Sequence, residues 1–328
     1  MSKSHRIMSG MRPTAKLHLG NMMGALMNWV KLQDEYECFY SIVDWHALTT
    51  GYNDTSGLKS YIREMVIDWL SVGLDPEKCN IFVQSQVKEH AELHLLLSMI
   101  TPLSWLERCP TYKEQLRQLE GREINTYGFL GYPVLMTADI LAYKADLVPV
   151  GEDQAPHLEL AREIVRRFNY LYKPVFPEPE ALYTEAKILP GIDGRKMSKS
   201  YDNYIAISAT PEEIRQKVMM MVTDPARIKK SDPGHPEICT VYAFNKVFAE
   251  EERVKELEES CKNAKIGCVE CKKKLSDLLV KYMEPIRERR ISLEKNPDLV
   301  NDILNTGAKK AREVASKTLE EVREAMKI

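Results

Sequence analysis

The sequence predicts an α/β fold: a parallel sheet with helices on both faces, followed by an α-helical C-terminal domain. Three observations predict it. Short apolar runs alternate with helix-periodic stretches through the first half of the chain. Polar clusters recur where those runs end and helices begin, which is where parallel sheets bind ligands. After Ile205-Ala206-Ile207 the apolar spacing is helical to the end. The 328 residues suffice for one large or two ordinary domains with a sizeable core. Hydrophobic residues make up 44% and charged residues 29%, the balance of a soluble globular protein. A net charge of -2 means that any nucleic-acid contact needs a local basic surface. Met1 to Arg6 holds no apolar signal core and no run reaches membrane-span length, so a cytoplasmic protein without a membrane partner is expected.

Arg6 to Met11 is short and mostly apolar and reads as a buried strand closed by a turn. Met22, Leu26, Trp29, Val30 and Gln33 then recur at helical spacing. Cys38 to Asp44 reads as a second strand, Leu58 to Val72 as an amphipathic helix, and Asn80 to Gln84 as a third strand. Glu89 to Ser104 is helix-periodic. Tyr127 to Leu141 opens with small and aromatic residues and continues as an apolar helix carrying one carboxylate, Asp139. Asp146 to Val150 reads as another strand, followed by the polar cluster Gly151-Glu152-Asp153-Gln154 and a helix from Pro156 to Asn169. A proline-rich connector, Pro174 to Pro179, precedes a glycine- and lysine-rich loop. Thr210-Pro211-Glu212-Glu213 carries a cap, a first-turn proline and a capping-box glutamate, so a helix starts there. Helical patterns then run through Ile214 to Val222, Tyr242 to Leu257, Lys272 to Arg290 and Ala308 to Met326.

Two stretches carry chemistry. Pro13 to Asn21 joins the first strand to the first helix, with His18, Gly20 and Asn21 at the helix entrance. Unpaired N–H groups and the dipole favour phosphate there, although a plain solvated loop reads the same way. Leu189 to Ser200 holds two glycines, an arginine, two lysines and two serines, enough to clamp a polyphosphate, although charged loops are usually only solvated. Asp139 needs a donor on its apolar helix: a neighbouring backbone group or tyrosine, or a buried ligand N–H or ammonium.

His18-Leu19-Gly20-Asn21 and Lys196-Met197-Ser198-Lys199-Ser200 together resemble the paired signatures of class I aminoacyl-tRNA synthetases. Ser9 to Pro13, Ile42 to Ala47, Met136 to Leu141 and Val148 to Gln154 further resemble the bacterial tryptophanyl-tRNA synthetases, over nearly the whole chain. His18 stands where many relatives have Thr, Arg12 where Gln is common, and Met8 where an aromatic is common. The resemblance implies a Rossmann-like catalytic domain at 1–200 and a helical tRNA anticodon-recognition domain at 201–328. It implies activation of L-tryptophan by ATP with Mg²⁺, transfer to tRNA(Trp), and a homodimer. The implied catalytic residues are His18, Asn21, Lys113, Lys196 and Lys199. Met11, Arg12, Gly20, Asn21, Gly151, Asp153, Gln154, Lys196, Met197, Ser198 and Lys199 would hold ATP. Met8, His46, Tyr132, Met136, Asp139, Val148, Val150 and Gln154 would hold tryptophan, with Asp139 accepting the indole N–H. The alternatives are a tyrosyl-tRNA synthetase, which shares both signatures, or a non-catalytic paralogue.

Seven cysteines, an odd number, argue against a disulfide framework. Cys239, Cys261, Cys268 and Cys271 follow C-x₂₁-C-x₆-C-x₂-C, and four thiolates suit zinc or an iron–sulfur cluster unless the grouping is chance. Some bacterial tryptophanyl enzymes have a similarly spaced set holding a [4Fe-4S] cluster. The resemblance therefore implies that cluster, with Zn²⁺ the alternative.

Overall fold

A computed structural model of the chain describes residues 5–110, 112–113, 125–151, 155–183 and 188–328. Its five strands are β1 (Arg6–Met11), β2 (Glu37–Ile42), β3 (Cys79–Val83), β4 (Leu147–Val150) and β5 (Glu180–Tyr183). They form one parallel sheet in the order β3-β2-β1-β4-β5. The predicted α/β class with a parallel sheet holds. Strand order runs outward from β1 in one direction and then reverses at β4. The crevice between the carboxyl ends of β1 and β4 is thus the switch point where such sheets bind ligands.

Alternating side chains split the strands between two cores, as the two-residue period of a strand requires. Ile7, Tyr40 and Ile81 enter one core, while Met8, Phe39 and Phe82 enter the other. In the first, Trp29 stacks on Tyr40 with centroids 4.6 Å apart and meets Trp69 edge-on at 5.1 Å. The first helix region has three parts: a turn α1 (Leu19–Asn21), a π-helical turn (Met22–Leu26) and α2 (Met27–Glu35). Next come α3 (Asp44–Gly51), α4 (Leu58–Val72), α5 (Glu89–Ser98) and α6 (Leu103–Arg108). The helix expected through Ser104 stops at Ser98, because Pro102 starts a new one. The apolar helix around Asp139 is likewise two pieces, α7 (Tyr127–Leu130) and α8 (Tyr132–Ala142), hinged at Gly131. Beyond β4 lies α9 (Ala155–Leu171).

The later chain forms α10 (Pro211–Met220), α11 (Thr240–Phe248), α12 (Glu251–Lys262), α13 (Cys268–Glu294) and α14 (Pro297–Met326). Thr210 caps α10 through the expected capping box. The helix expected over Tyr242 to Leu257 is two, because Ala249 and Glu250 turn to extended backbone. Residues 205–207 form no strand of the sheet; they make an isolated antiparallel bridge to His18. The last helix returns to the sheet. Gly307 of α14 packs against the β3 backbone, where a methyl group would stand 1.9 Å from the Ile81 carbonyl oxygen. Among the described residues no helix is long and apolar enough to cross a membrane.

Candidate active site

The turn between β1 and α1 is built by its own side chains. The Asn21 N–H donates to His18 Nδ1 at 3.2 Å, and the His18 N–H donates to Asn21 Oδ1 at 3.1 Å. This reciprocal cap satisfies two of the helix's orphan donors. Because Nδ1 accepts, the neutral ring carries its proton on Nε2. Burial and then Lys199 lower the His18 pKa to about 4, so the ring is a neutral donor near pH 7.

Far downstream, Pro190 to Asn203 folds against this turn. The Leu19 N–H donates to the Ile205 carbonyl at 2.9 Å, and the Ile207 N–H donates to the Leu17 carbonyl at 3.0 Å. Met197 is buried, and a Cβ on Gly20 would lie 3.3 Å from its sulfur, so glycine permits the approach. The predicted halves of the clamp are therefore in contact. Asn203, buried and unpredicted, shapes the loop. Its side chain donates to Asp193 at 2.8 Å and to the Lys196 carbonyl at 3.1 Å, and accepts from the Ser198 N–H at 2.7 Å. Only that convergence of three loop segments reveals its role.

The two lysines differ. Lys196 is exposed and bridged to Pro190, whereas Lys199 is half-buried beside the turn. Burial lowers the Lys199 pKa to about 8, with Asp68 opposing the fall and Arg12 adding to it. Lys113 is exposed, with neighbouring residues 111 and 114–124 outside the described set. Met11 ends β1, where its carbonyl accepts the Val43 N–H, and Gly151 is exposed just past β4. Asp153 and Gln154 lie outside the described residues.

The carboxyl ends of β1 and β4 open on a cavity of about 340 Å³. Met8, His46, Tyr132, Met136, Asp139, Val148 and Val150 all line it, as does Arg12. Its size suits a small ligand, and its strand-borne walls are apolar. At its base Asp139 is nearly inaccessible and accepts three donor groups. Gln84 Nε2 lies 2.8 and 2.9 Å from the two oxygens, His46 Nε2 lies 3.0 Å from Oδ2, and His90 Nδ1 lies 2.6 Å from Oδ1. Burial pushes the Asp139 pKa up, but the bonds from His46 and His90 outweigh it, so the group sits below the usual carboxylate range. His90 is held from behind by the Tyr143 hydroxyl at 2.5 Å. A carboxylate offers about four acceptor directions; with Gln84 bridging both oxygens, each oxygen already takes two contacts. Sequence reading found Asp139 and His46 but missed Gln84 and His90, whose polar side chains only tertiary packing brings inward. It also missed His157, which holds the Tyr132 hydroxyl at 2.5 Å in the cavity wall.

The family model described as tRNA synthetases class I (W and Y) matches residues 1–284. The chain belongs to that family. Family relatives include the tryptophan–tRNA ligase of Thermotoga maritima, 56% identical over 98% of this chain and 99% of that protein. The tryptophan–tRNA ligase of Aquifex aeolicus is 49% identical over 98% of this chain and its own full length. In structure, the Campylobacter jejuni tryptophanyl-tRNA synthetase, solved with ADP and tryptophan, superposes with a TM-score of 0.90. It is 34% identical and covers 98% of this chain and 100% of that one. The fold also matches the Archaeoglobus fulgidus tyrosyl-tRNA synthetase, at a TM-score of 0.66 and 22% identity over 87% of this chain and 90% of that one.

The four late cysteines gather from three helices of this family member. Cys239 caps α11, Cys261 lies in the last turn of α12, and Cys268 and Cys271 open α13. All are reduced and partly buried. Gly234 backs Cys261 so closely that a Cβ there would stand 2.4 Å from its sulfur. Burial raises the Cys271 thiol to about 12, reinforced by Cys239, Cys261 and Cys268. The donor set is all sulfur and suits a thiolate-bound group. As the side chains stand, no three or more His, Cys, Asp or Glu among the described residues converge as a metal-holding group.

Proposed function

We infer that the chain is a tryptophan–tRNA ligase that activates tryptophan with ATP and transfers it to tRNA(Trp). The observation that carries this is the cavity base. One ionised, buried carboxylate, an acceptor only, faces apolar walls at the sheet's switch point and calls for a donor carried on an apolar body. The indole ring of tryptophan has one N–H donor on a large apolar body and fits that demand. A phenol carries a hydroxyl that both donates and accepts, and the donors at the cavity base, His46, Gln84 and His90, are all engaged by Asp139.

In the first step the tryptophan carboxylate attacks the ATP α-phosphorus. A bond forms to the carboxylate oxygen, the bond to the bridging oxygen breaks, and pyrophosphate leaves. The attacking group is already ionised, so the protein's task is alignment and charge neutralisation. His18 Nε2–H and the Asn21 region receive phosphate at the α1 entrance. Lys199 beside them and Lys196 on the loop counter the charge that builds on pyrophosphate, with Lys113 as a further cation. Mg²⁺ entering with ATP adds positive charge at the phosphates. Met11, Arg12, Gly20, Gly151, Asp153, Gln154, Met197 and Ser198 complete the ATP site. Met8, Met136, Val148 and Val150 pack the indole, while His46, Tyr132 and Gln154 serve the amino-acid end or the pocket rim. In the second step the adenylate passes tryptophan to the 2′-hydroxyl of the terminal tRNA ribose.

The helical residues 201–328 serve as the anticodon-facing domain. Its four cysteines hold a structural [4Fe-4S] cluster, with Zn²⁺ the alternative, beside Lys272, Lys273 and Lys274. The exposed apolar residues Leu95, Met99 and Leu103 support a homodimer. Tryptophan-dependent ATP–pyrophosphate exchange tests the activity. It is expected with tryptophan and absent with tyrosine, and the reverse pattern would refute the assignment. A catalytically silent chain would mark a paralogue.

A further inference from the structure

Arg290 sits near the end of α13 and is almost wholly buried. It forms ion pairs with Glu64 and Asp68 of α4, and with Glu294 at 3.1 Å. Its neighbour Arg289 donates to the Ser71 carbonyl at 2.6 Å, so two successive side chains of α13 grip α4. Asp68 is buried on every side. Besides Arg290 it accepts the Leu17 N–H, next to His18, and it faces Lys199 electrostatically. A single carboxylate therefore holds the backbone next to His18 and acts electrostatically on Lys199, and its counter-charge comes from more than two hundred residues away in sequence.

We propose that Arg290 is a positioning residue for tryptophan activation: it occupies Asp68 so that Lys199 stays available to the phosphates. The proposal rests on the role given above to Lys199. One guanidinium among three carboxylates leaves the cluster with surplus negative charge. A planar fork can serve Asp68 and Glu64 at once, which a point cation cannot. Without it, Asp68 is a buried carboxylate in need of a cation. Lys199 lies within its electrostatic reach, and a lysine drawn onto Asp68 is withdrawn from pyrophosphate. The tryptophan cavity is spared, because its walls come from the opposite core of the sheet. Burial pushes the Asp68 carboxyl up to about 7 against the pull of Arg290, so its charge at neutral pH depends on a cationic partner.

The experiment is tryptophan-dependent ATP–pyrophosphate exchange on the full chain. Arg290→Met is expected to lower kcat between about tenfold and a hundredfold, with KM for tryptophan within about twofold of wild type. Adding Asp68→Asn keeps an acceptor for the Leu17 N–H but removes the charge that captures Lys199. The double variant is therefore expected to recover most of the lost kcat. An unchanged kcat in Arg290→Met, or no recovery in the double variant, overturns the proposal. If Arg290→Met does not fold, Arg290→Lys decides. Its point charge leaves Asp68 shared with Lys199, so kcat falls about tenfold with KM for tryptophan unchanged, and a wild-type kcat overturns it. A wild-type protein inactive with tryptophan would fault the functional reading instead.

Discussion

Lys199, proposed to meet the ATP phosphates, shows how burial tunes a single side chain. Its pKa of about 8 leaves it mostly charged at neutral pH but able to lose its proton just above. The charged form is the one that meets phosphate, so the sign is fixed: activity falls as pH rises. The profile of kcat/KM for ATP, which reports the free enzyme, is expected to bend downward near pH 8. Lys199→Arg, which stays charged throughout, should remove that bend. An identical alkaline limb in the two proteins would assign it to another group. Asp139 shows the opposite use of burial, since its donors keep it ionised where an isolated carboxylate would take up a proton. Asp139→Leu is expected to lower kcat/KM for tryptophan by roughly a hundredfold or more, measured in steady-state exchange, because the indole N–H is left unpaired. These side chains were partly legible in the sequence. His18, Lys199 and Asp139 stand in recognisable local patterns. Gln84, His90 and Asn203 do not, because each earns its place by bonds to residues distant in the chain.

At the scale of elements, the most constrained contact is α14 on β3. The Ile81 carbonyl is backbone and cannot swing aside, so Gly307→Ala forces helix and strand apart. A loss of about 1–3 kcal/mol is expected, read from chemical denaturation. A stability within error of wild type would show that the helix slides freely. The strand ends and the span of α4 follow from periodicity, and the sequence-based reading agrees there. It misses β5, a short edge strand with partly exposed residues just past a proline-rich connector, where neither alternation nor an apolar run marks it. It joins α11 to α12 because the apolar spacing carries through Ala249 and Glu250, although the backbone there is extended. Periodicity reports which face is buried, not whether the helix is continuous.

For the whole molecule, one apolar core crosses from the sheet into the later helices. Ile7 and Trp69 share it with Ile214, Phe244 and Leu279. The proposed anticodon-facing part is thus packed onto the catalytic part, and α13 spans both, with Cys268 and Cys271 at one end and Arg290 near the other. Anaerobically prepared protein is expected to show an iron–sulfur absorption that Cys268→Ser abolishes. A colourless protein with stoichiometric zinc would select the alternative. Met99→Glu, at the exposed apolar patch, is expected to shift the protein towards monomer in sedimentation, and an unaltered dimer would place the interface elsewhere.

The two hydrogen bonds that fasten 205–207 to the signature turn secure one end of the cationic loop. The loop is tied at its other end as well, where Lys196 bridges to Pro190, the Asn203 side chain donates to the Lys196 carbonyl, and the Ile192 N–H donates to the Asn203 carbonyl. Both lysines therefore hang from a fastened ribbon. What differs is the freedom of their side chains: Lys196 is exposed and can swing, whereas Lys199 is half-buried and has less room to turn.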